Sequence, residues 1–320
     1  MKIRFAAAAI ALAACILPAA HAQPAPLHIV VPFAPGGAQD VIGRYIGNKL
    51  APLLGVPVVI ENKAGAGGVI AADAVAKAAP DGNTILLATG GAISIAPHLN
   101  AKLAYDPRKD LVPVAMIADT PMTLGVRAQS PYLTVADVLR DAKARPGQVS
   151  FASTGNGTIS HLTGELFAQT AGVQLLHVPY RGAAPALTDL LGGQVTLIVT
   201  SSASIEPMVQ DKKARVLATF TPRRLPNLKD TPTMREATGL NGLEVPVWVG
   251  FMAPARTPAA LIEKLEAQIV AVCKLPETQE RFSGLGAVTI CGGHKDMEKI
   301  VADDYERWGK VIRQGNVKAE

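Results

Sequence analysis

Aromatic side chains are scarce, at 4% of the 320 residues, and charged ones make up only 18%. No stripe of lysine and arginine stands beside stacking aromatics, which argues against a nucleic-acid surface. Cysteine occurs three times and histidine six times. No histidines cluster with the cysteines, so a zinc site is not indicated. The Gly-x-Ser-x-Gly elbow, the His-Glu-x-x-His pair and the Walker lysine are all missing, and with them the commonest hydrolase and nucleotide chemistries. After the first residues no run is long and apolar enough to cross a bilayer. No cofactor is implied.

What is present begins with an export signal. Lys2 and Arg4 precede an apolar run from Phe5 to Leu17, and Ala20-His21-Ala22 fits small-x-small cleavage before Gln23. Residues 1–22 therefore read as a Sec-type signal peptide. Leu12-Ala13-Ala14-Cys15 offers the alternative of a lipobox, with Cys15 lipidated. Loss of Lys2 and Arg4 takes the formal charge from +5 to +3, a mild positive field that helps draw in anions. Cys273 and Cys291 remain, in an oxidising compartment where a disulfide and two buried free thiols are both open.

About 300 residues remain, room for two domains. Eleven short apolar runs fit strands: Leu27–Phe33, Pro57–Asn62, Thr84–Thr89, Pro113–Asp119, Met122–Arg127, Val149–Ser153, Leu175–Tyr180, Val195–Thr200, Arg215–Phe220, Val247–Ala253 and Ala287–Cys291. Most are continuous rather than alternating, which predicts strands buried on both faces, as in parallel sheets. Helical stripes lie between them. Val41, Ile42, Tyr45, Ile46, Leu50, Leu53 and Leu54 form one, closed by Gly55; Ile159, Leu162, Leu166, Phe167 and Thr170 form another, closed by Gly172. Thr257 before Pro258 predicts a helix start, and Met297 to Ile312 a last helix. Strand–helix alternation means an α/β fold.

Two stretches share a plan. Ile29–Asn62 and Val149–Tyr180 each read strand, Gly-rich turn, helix, glycine stop, strand. The turns are Pro35-Gly36-Gly37 and Thr154-Gly155-Asn156-Gly157-Thr158. A helix N-terminus carries unpaired N–H groups and partial positive charge, so a glycine turn before it makes an anion site without any lysine or arginine. In open α/β sheets such turns lie where ligands bind. The bland alternative is that each turn is only a tight connection. Asp40 and His161 sit early in the two helices, where each has a structural reading too, and Arg181 is either a carboxylate partner or a solvated charge.

The residues also resemble a family. Pro32-Phe33-Ala34-Pro35-Gly36-Gly37 with Asp40 and Arg44 is similar to the opening motif of the Bug/TctC solute receptors, the binding components of tripartite tricarboxylate transporters. Glu61 to Gly68, Pro80 to Thr84, Tyr105-Asp106-Pro107 with Lys109-Asp110, Ser153 to Thr158 with His161-Leu162 and Gly164 to Leu166, and His177 to Gly182 with Ala184-Pro185-Ala186 match further blocks in order. The resemblance implies a type II periplasmic-binding-protein fold, two α/β domains joined by two crossover strands near Pro113–Arg127 and Glu244–Pro254. Domain 1 would be residues 23–120 with 250–320, and domain 2 residues 121–249. It implies a periplasmic receptor, monomeric and not an enzyme, that holds a small carboxylate through turn amides, small hydroxyls and bridging waters. Membrane transporter subunits or a membrane sensor would be its partners.

Site candidates on this reading are Pro35, Gly36, Gly37, Ala38, Gln39, Asp40, Gly90, Gly91, Ser94, Thr154, Gly155, Asn156, Gly157, Thr158, His161, Arg181, Gly182, Thr200 and Ser201. Departures from the family pattern are Gln39, where threonine or serine is usual, and Thr196 and Thr200, where aspartates are usual. Missing carboxylates remove partners for a ligand ammonium and tilt the expectation toward a non-amino acid ligand. The rival is a secreted transferase-like enzyme on the same scaffold, which would need Cys291 or His161 as its reactive group.

Overall fold

The computed structural model describes residues 25–33, 35–36, 38–180, 182–315 and 317. The signal peptide of residues 1–22, the lipobox at Cys15 and the site candidates Gly37 and Arg181 lie outside the described residues.

Every apolar run singled out above overlaps a strand. In chain order the elements are β1 (Leu27–Val31), α1 (Ala38–Leu54), β2 (Val58–Asn62), α2 (Val69–Ala76), β3 (Thr84–Thr89), β4 (Leu111–Asp119), β5 (Met122–Arg127), α3 (Val135–Ala144), β6 (Ser150–Ser153), α4 (Ile159–Ala171), β7 (Leu176–Pro179), α5 (Ala183–Gly192), β8 (Leu197–Ser201), α6 (Ser202–Gln210), β9 (Ala214–Thr219), β10 (Trp248–Pro254), α7 (Ala259–Cys273), α8 (Pro276–Ser283), β11 (Val288–Gly293) and α9 (His294–Gly315), with shorter helical turns between some of them. The strands form two sheets, β11-β4-β10-β3-β1-β2 and β7-β6-β8-β5-β9.

The two matched stretches are βαβ units. β1 and β2 pair in parallel, as do β6 and β7. Ile42, Ile46 and Leu50, spaced by one helical turn, bury the inner face of α1 against its sheet. Leu53, assigned to that stripe, is instead half exposed. Gly55 and Gly172 follow α1 and α4 at φ 69° and 63°, the left-handed region that glycine enters at little cost.

The sheets are mixed rather than parallel. β10 runs antiparallel to both β3 and β4, and β5 antiparallel to β8 and β9. Continuous apolar runs report burial on both faces, and helices cover both faces here whichever way a strand runs. Direction was set by something else: the chain leaves the first sheet after β4, builds the second, and re-enters the first as β10. The helix predicted to start at Thr257 also differs. α7 begins at Ala259 with Pro258 before it, and no side chain among the described residues caps it; the Thr257 hydroxyl is buried and has no hydrogen-bond partner among the described residues.

The crossing segments lie where the resemblance implies. Only Thr120 and Pro121 separate β4 from β5. The return segment runs alongside: the Thr120 amide donates to the Val247 carbonyl at 2.9 Å, and the Val247 amide donates to Asp119 Oδ1 at 2.7 Å. α9 is shared between the lobes. Met297 near its start packs into a core built on the first sheet, whereas Trp308, Val311 and Ile312 pack with Leu162, Phe167 and Phe220 of the second. Cys273 on α7 and Cys291 on β11 are bridged.

Candidate functional site

Three turns of the first lobe and two of the second meet between the sheets. After β1, Gly36 adopts φ 90° and its amide donates to Asp40 Oδ2 at 2.9 Å. Asp40 is 2% exposed. Its Oδ2 also accepts from Arg44 Nε at 3.0 Å, and its Oδ1 accepts from Asn62 Nδ2 at 2.7 Å. Burial pushes this carboxyl up, but the bonds from Arg44, Gly36 and Asn62 outweigh it and hold it below its ordinary range. Asp40 therefore braces the first turn from behind, with its oxygens occupied. Pro35 and Gly36 are exposed at the tip, while Ala38 and the half-buried Gln39 open α1.

After β3 the chain turns through Gly90 into a buried π-helical turn, Gly91–Ile95, a geometry that often marks functional positions. Side chains have no room at its start. A Cβ on Gly91 would lie 2.8 Å from the Gly67 carbonyl, and one on Gly90 would lie 3.0 Å from Ile159 of α4. The glycine block around Gly67 is thus packing material for the site. Ser94 is fully buried, and its hydroxyl has no partner among the described residues.

The second glycine turn lies across from this one. A Cβ on Gly157 would come within 2.9 Å of Leu99, just after the β3 turn. Several amides expected to face a ligand are instead satisfied internally. Thr154 N–H donates to Ser160 Oγ at 3.0 Å, Gly155 N–H to Ser153 Oγ at 3.2 Å, Gly157 N–H to His161 Nδ1 at 3.2 Å, and His161 N–H to the Thr158 hydroxyl at 3.3 Å. The physical reason is composition: a turn rich in serine, threonine and histidine caps its own backbone. Among the described residues the amides of Asn156, Ile159 and Ser160 have no hydrogen-bond partner. These form the open N-terminus of the 13-residue α4.

His161 is 6% exposed and stacks on His177, ring centroids 3.7 Å apart and planes 6° apart. Because Nδ1 accepts from Gly157, the ring is neutral with its proton on Nε2, toward Glu165 Oε1 at 3.7 Å. Burial lowers His161 to about 4; burial and the neighbouring His161 lower His177 to about 3. Burial raises Glu165. Ser153 Oγ lies 2.6 Å from His177 Nε2. Ser153 and His177 went unremarked individually as site residues, although both stand inside sequence blocks quoted above.

At the end of β8 the Thr200 hydroxyl is buried and unpartnered among the described residues. Ser201 precedes α6, its Oγ 2.8 Å from Ser204 Oγ. Thr196 is elsewhere: it begins the segment leading into β8, bonded to Ser150 at 3.1 Å, at the strand end away from Thr200. Gly182, at φ 113°, opens α5 with no side-chain cap. The groove that Gly36 lines holds about 480 Å³ and is completed from the second lobe by Ala203, Ser204 and Glu206 of α6, not by the second glycine turn. Its far wall is Ser283–Gly286, where the Ser202 hydroxyl donates to the Gly286 carbonyl at 2.9 Å. Glu206 is the only charged residue among the described residues lining it, and its carboxylate accepts from Asn227 at 2.6 Å and Gln210 at 3.4 Å. No metal-binding cluster of His, Cys, Asp or Glu occurs among the described residues.

A family model for the tripartite tricarboxylate transporter family receptors matches residues 42–317. Protein BugT of Bordetella pertussis is 34% identical over 294 residues, 92% of this chain and 90% of that protein. Among solved structures, a Rhodopseudomonas palustris protein with adipate is 33% identical at a TM-score of 0.84, covering 92% of this chain and 99% of its own. MatC of the same organism, with bound malate, is 33% identical at 0.81, covering 90% and 99%. With two α/β lobes, two crossing strands and a cleft of glycine turns, the chain belongs to the Bug/TctC family of tripartite tricarboxylate transporter receptors, whose solved members are periplasmic binding proteins.

Proposed function

We propose that this chain captures a small carboxylate lacking an ammonium group in the cleft between its lobes. The observation that carries the reading is the open N-terminus of α4. Its Asn156, Ile159 and Ser160 amides have no hydrogen-bond partner among the described residues, and the Ile159 side chain packs against Gly90 of the turn after β3, on the other lobe. Amides at a helix start hold an anion without a cation beside it. Ser94 and Thr200 add buried hydroxyls that have no hydrogen-bond partner among the described residues. The solved relatives with adipate and malate support a dicarboxylate of about four to six carbons, within the range of small-ligand clefts. Threonine at position 200 leaves no carboxylate there for a ligand ammonium.

On this reading the lobes, residues 23–120 with 250–320 and residues 121–249, close about the paired crossing segments. The chain is exported by the signal of residues 1–22, acts as a monomer, and presents its loaded form to transporter subunits in the membrane. Of the two groups an enzyme would need, Cys291 is bridged to Cys273 and His161 Nδ1 is occupied by Gly157.

Mass spectrometry of the denatured, freshly purified protein is expected to release an unreacted acid. Calorimetry is then expected to rank malate, adipate or the released acid above aspartate and glutamate. Tighter binding of the amino acids would refute the ligand class. Ala38→Pro removes the N–H that opens α1 while keeping a helix-compatible residue; wild-type affinity in that variant would take the first turn out of the site.

A further inference from the structure

Asp304 lies on α9, in none of the segments assigned to ligand contact. It is 1% exposed. Its Oδ2 accepts the indole N–H of Trp248, the first residue of β10, at 2.9 Å. The same oxygen lies 3.2 Å from where a Cβ on Gly90 would sit, so the carboxylate rests on the backbone of the cleft turn. Trp248 follows Val247, which donates to Asp119 in the other crossing segment. One turn beyond Asp304, Trp308 packs into the core of the second lobe. Asp304 thus touches the cleft turn, the returning strand and the helix shared by both lobes.

The bonding around it is incomplete. Asp304 Oδ1 and Trp308 Nε1 are both buried and neither makes a hydrogen bond of normal length among the described residues, although the Trp308 indole already stands near enough to the carboxyl to favour its charged form. An acceptor at position i and a donor at i+4 face the same side of a helix. Buried polar groups are ordinarily satisfied, and exceptions call for an explanation. A neutral, apolar side chain would fill this place with less desolvation cost. The arrangement has a second state within reach, in which Trp308 Nε1–H is taken up by Oδ1.

Resting on the capture function proposed above, we infer that Asp304 is a positioning residue for ligand capture: it ties the Gly90–Ser94 turn to the crossing strand through Trp248, and lobe closure moves the Trp308 indole onto its free oxygen. Ligand contact at the turn and rotation of the lobes are then one event. The chain has two tryptophans, and both flank this carboxylate, so the indole region of a ¹⁵N–¹H spectrum reports on it alone.

The test uses the full mature chain with malate and adipate as probes, the Trp308 signal being assigned with Trp308→Phe. A saturating acid is expected to move the Trp308 indole proton downfield while Trp248 stays bonded. Asp304→Ala is expected to raise Kd by about tenfold or more and abolish that shift, whereas Asp304→Asn, which keeps an acceptor, stays within about threefold of wild type. A lowered Tm in Asp304→Ala with unchanged Kd, or indole signals that do not move on saturation, would overturn the inference. If wild type binds neither acid, the dicarboxylate proposal fails separately. Small-angle scattering of wild type and Asp304→Ala without acid then decides the coupling: a broader spread of lobe separations in the variant supports it, and coincident curves end it.

Discussion

Two buried aspartates show how one residue type serves opposite ends. Asp40 faces Arg44, Asn62 and the Gly36 amide, all donors to its two oxygens. Asp304 has Trp248 on one oxygen and no hydrogen-bond partner on the other among the described residues. Removing Asp40 takes the acceptor from the exposed Gly36 amide and one of two acceptors from Asn62 Nδ2, which keeps the Phe33 carbonyl; hydrogen bonds to a charged group are worth about 1.5–3 kcal/mol. Asp40→Ala is therefore expected to lower the urea midpoint and weaken ligand binding together, because the first turn loses its brace. Unchanged affinity in a destabilised Asp40→Ala would show that the turn does not touch ligand. At this scale the sequence indicated which residues gather at the cleft but not what each does. Asp40 and His161 were both candidate ligand contacts with a structural alternative, and the alternative describes their hydrogen bonds. The Ser153–His177–His161 set was invisible as a unit, since 24 residues separate Ser153 from His177 and only the pairing of β6 with β7 brings them together.

Among elements, α6 of one lobe meets the Ser283–Gly286 turn of the other. Gly286 has φ 65°, and a Cβ there would lie 2.8 Å from the backbone of Ala203. Gly286→Ala inserts a wedge between lobes that cannot yield, since the opposing atoms are main chain. Scattering is expected to show a larger radius of gyration and calorimetry a weaker affinity; an unchanged radius would mean the lobes do not need this contact. The bridge from α7 to β11 acts within one lobe. Its 18-residue separation corresponds to about 3 kcal/mol of loop-closure stabilisation. Cys291→Ser, or reduction, is expected to lower unfolding stability by roughly that amount with little change in Kd, as read by denaturation and calorimetry on the same sample. Strand and helix positions were legible because continuous apolar runs and 3.6-residue stripes are local signals. Thr257 misled for a local reason too: its hydroxyl is buried and does not cap the start of α7, which Pro258 precedes.

For the whole molecule, buried titrating groups pull stability in opposite directions with pH. Burial raises Asp119 and Asp304 from 3.8 to about 6. Between about pH 4 and 6 the native state holds more protons on them than the unfolded chain, so their contribution falls as pH rises. His161 and His177 are lowered to about 4 and about 3. They stay neutral in the native state while the unfolded chain takes up protons below about 6.5, so their contribution falls as pH drops through the same range. Asp304→Asn removes one term. Its stability relative to wild type is expected to rise from pH 4 to pH 6, and a flat difference in urea midpoints would contradict the assignment. His177→Gln should show the reverse slope relative to wild type.

The order of strands and helices, the two βαβ units and the family were fixed by the sequence alone, because each is written in spacings of a few residues or in short contiguous blocks. Which strands turned antiparallel, and that Asp304 would stand behind Gly90, were decided only in three dimensions. Those outcomes depend on a chain that leaves one sheet and returns to it, and on partners more than a hundred residues apart. No local pattern encodes such contacts.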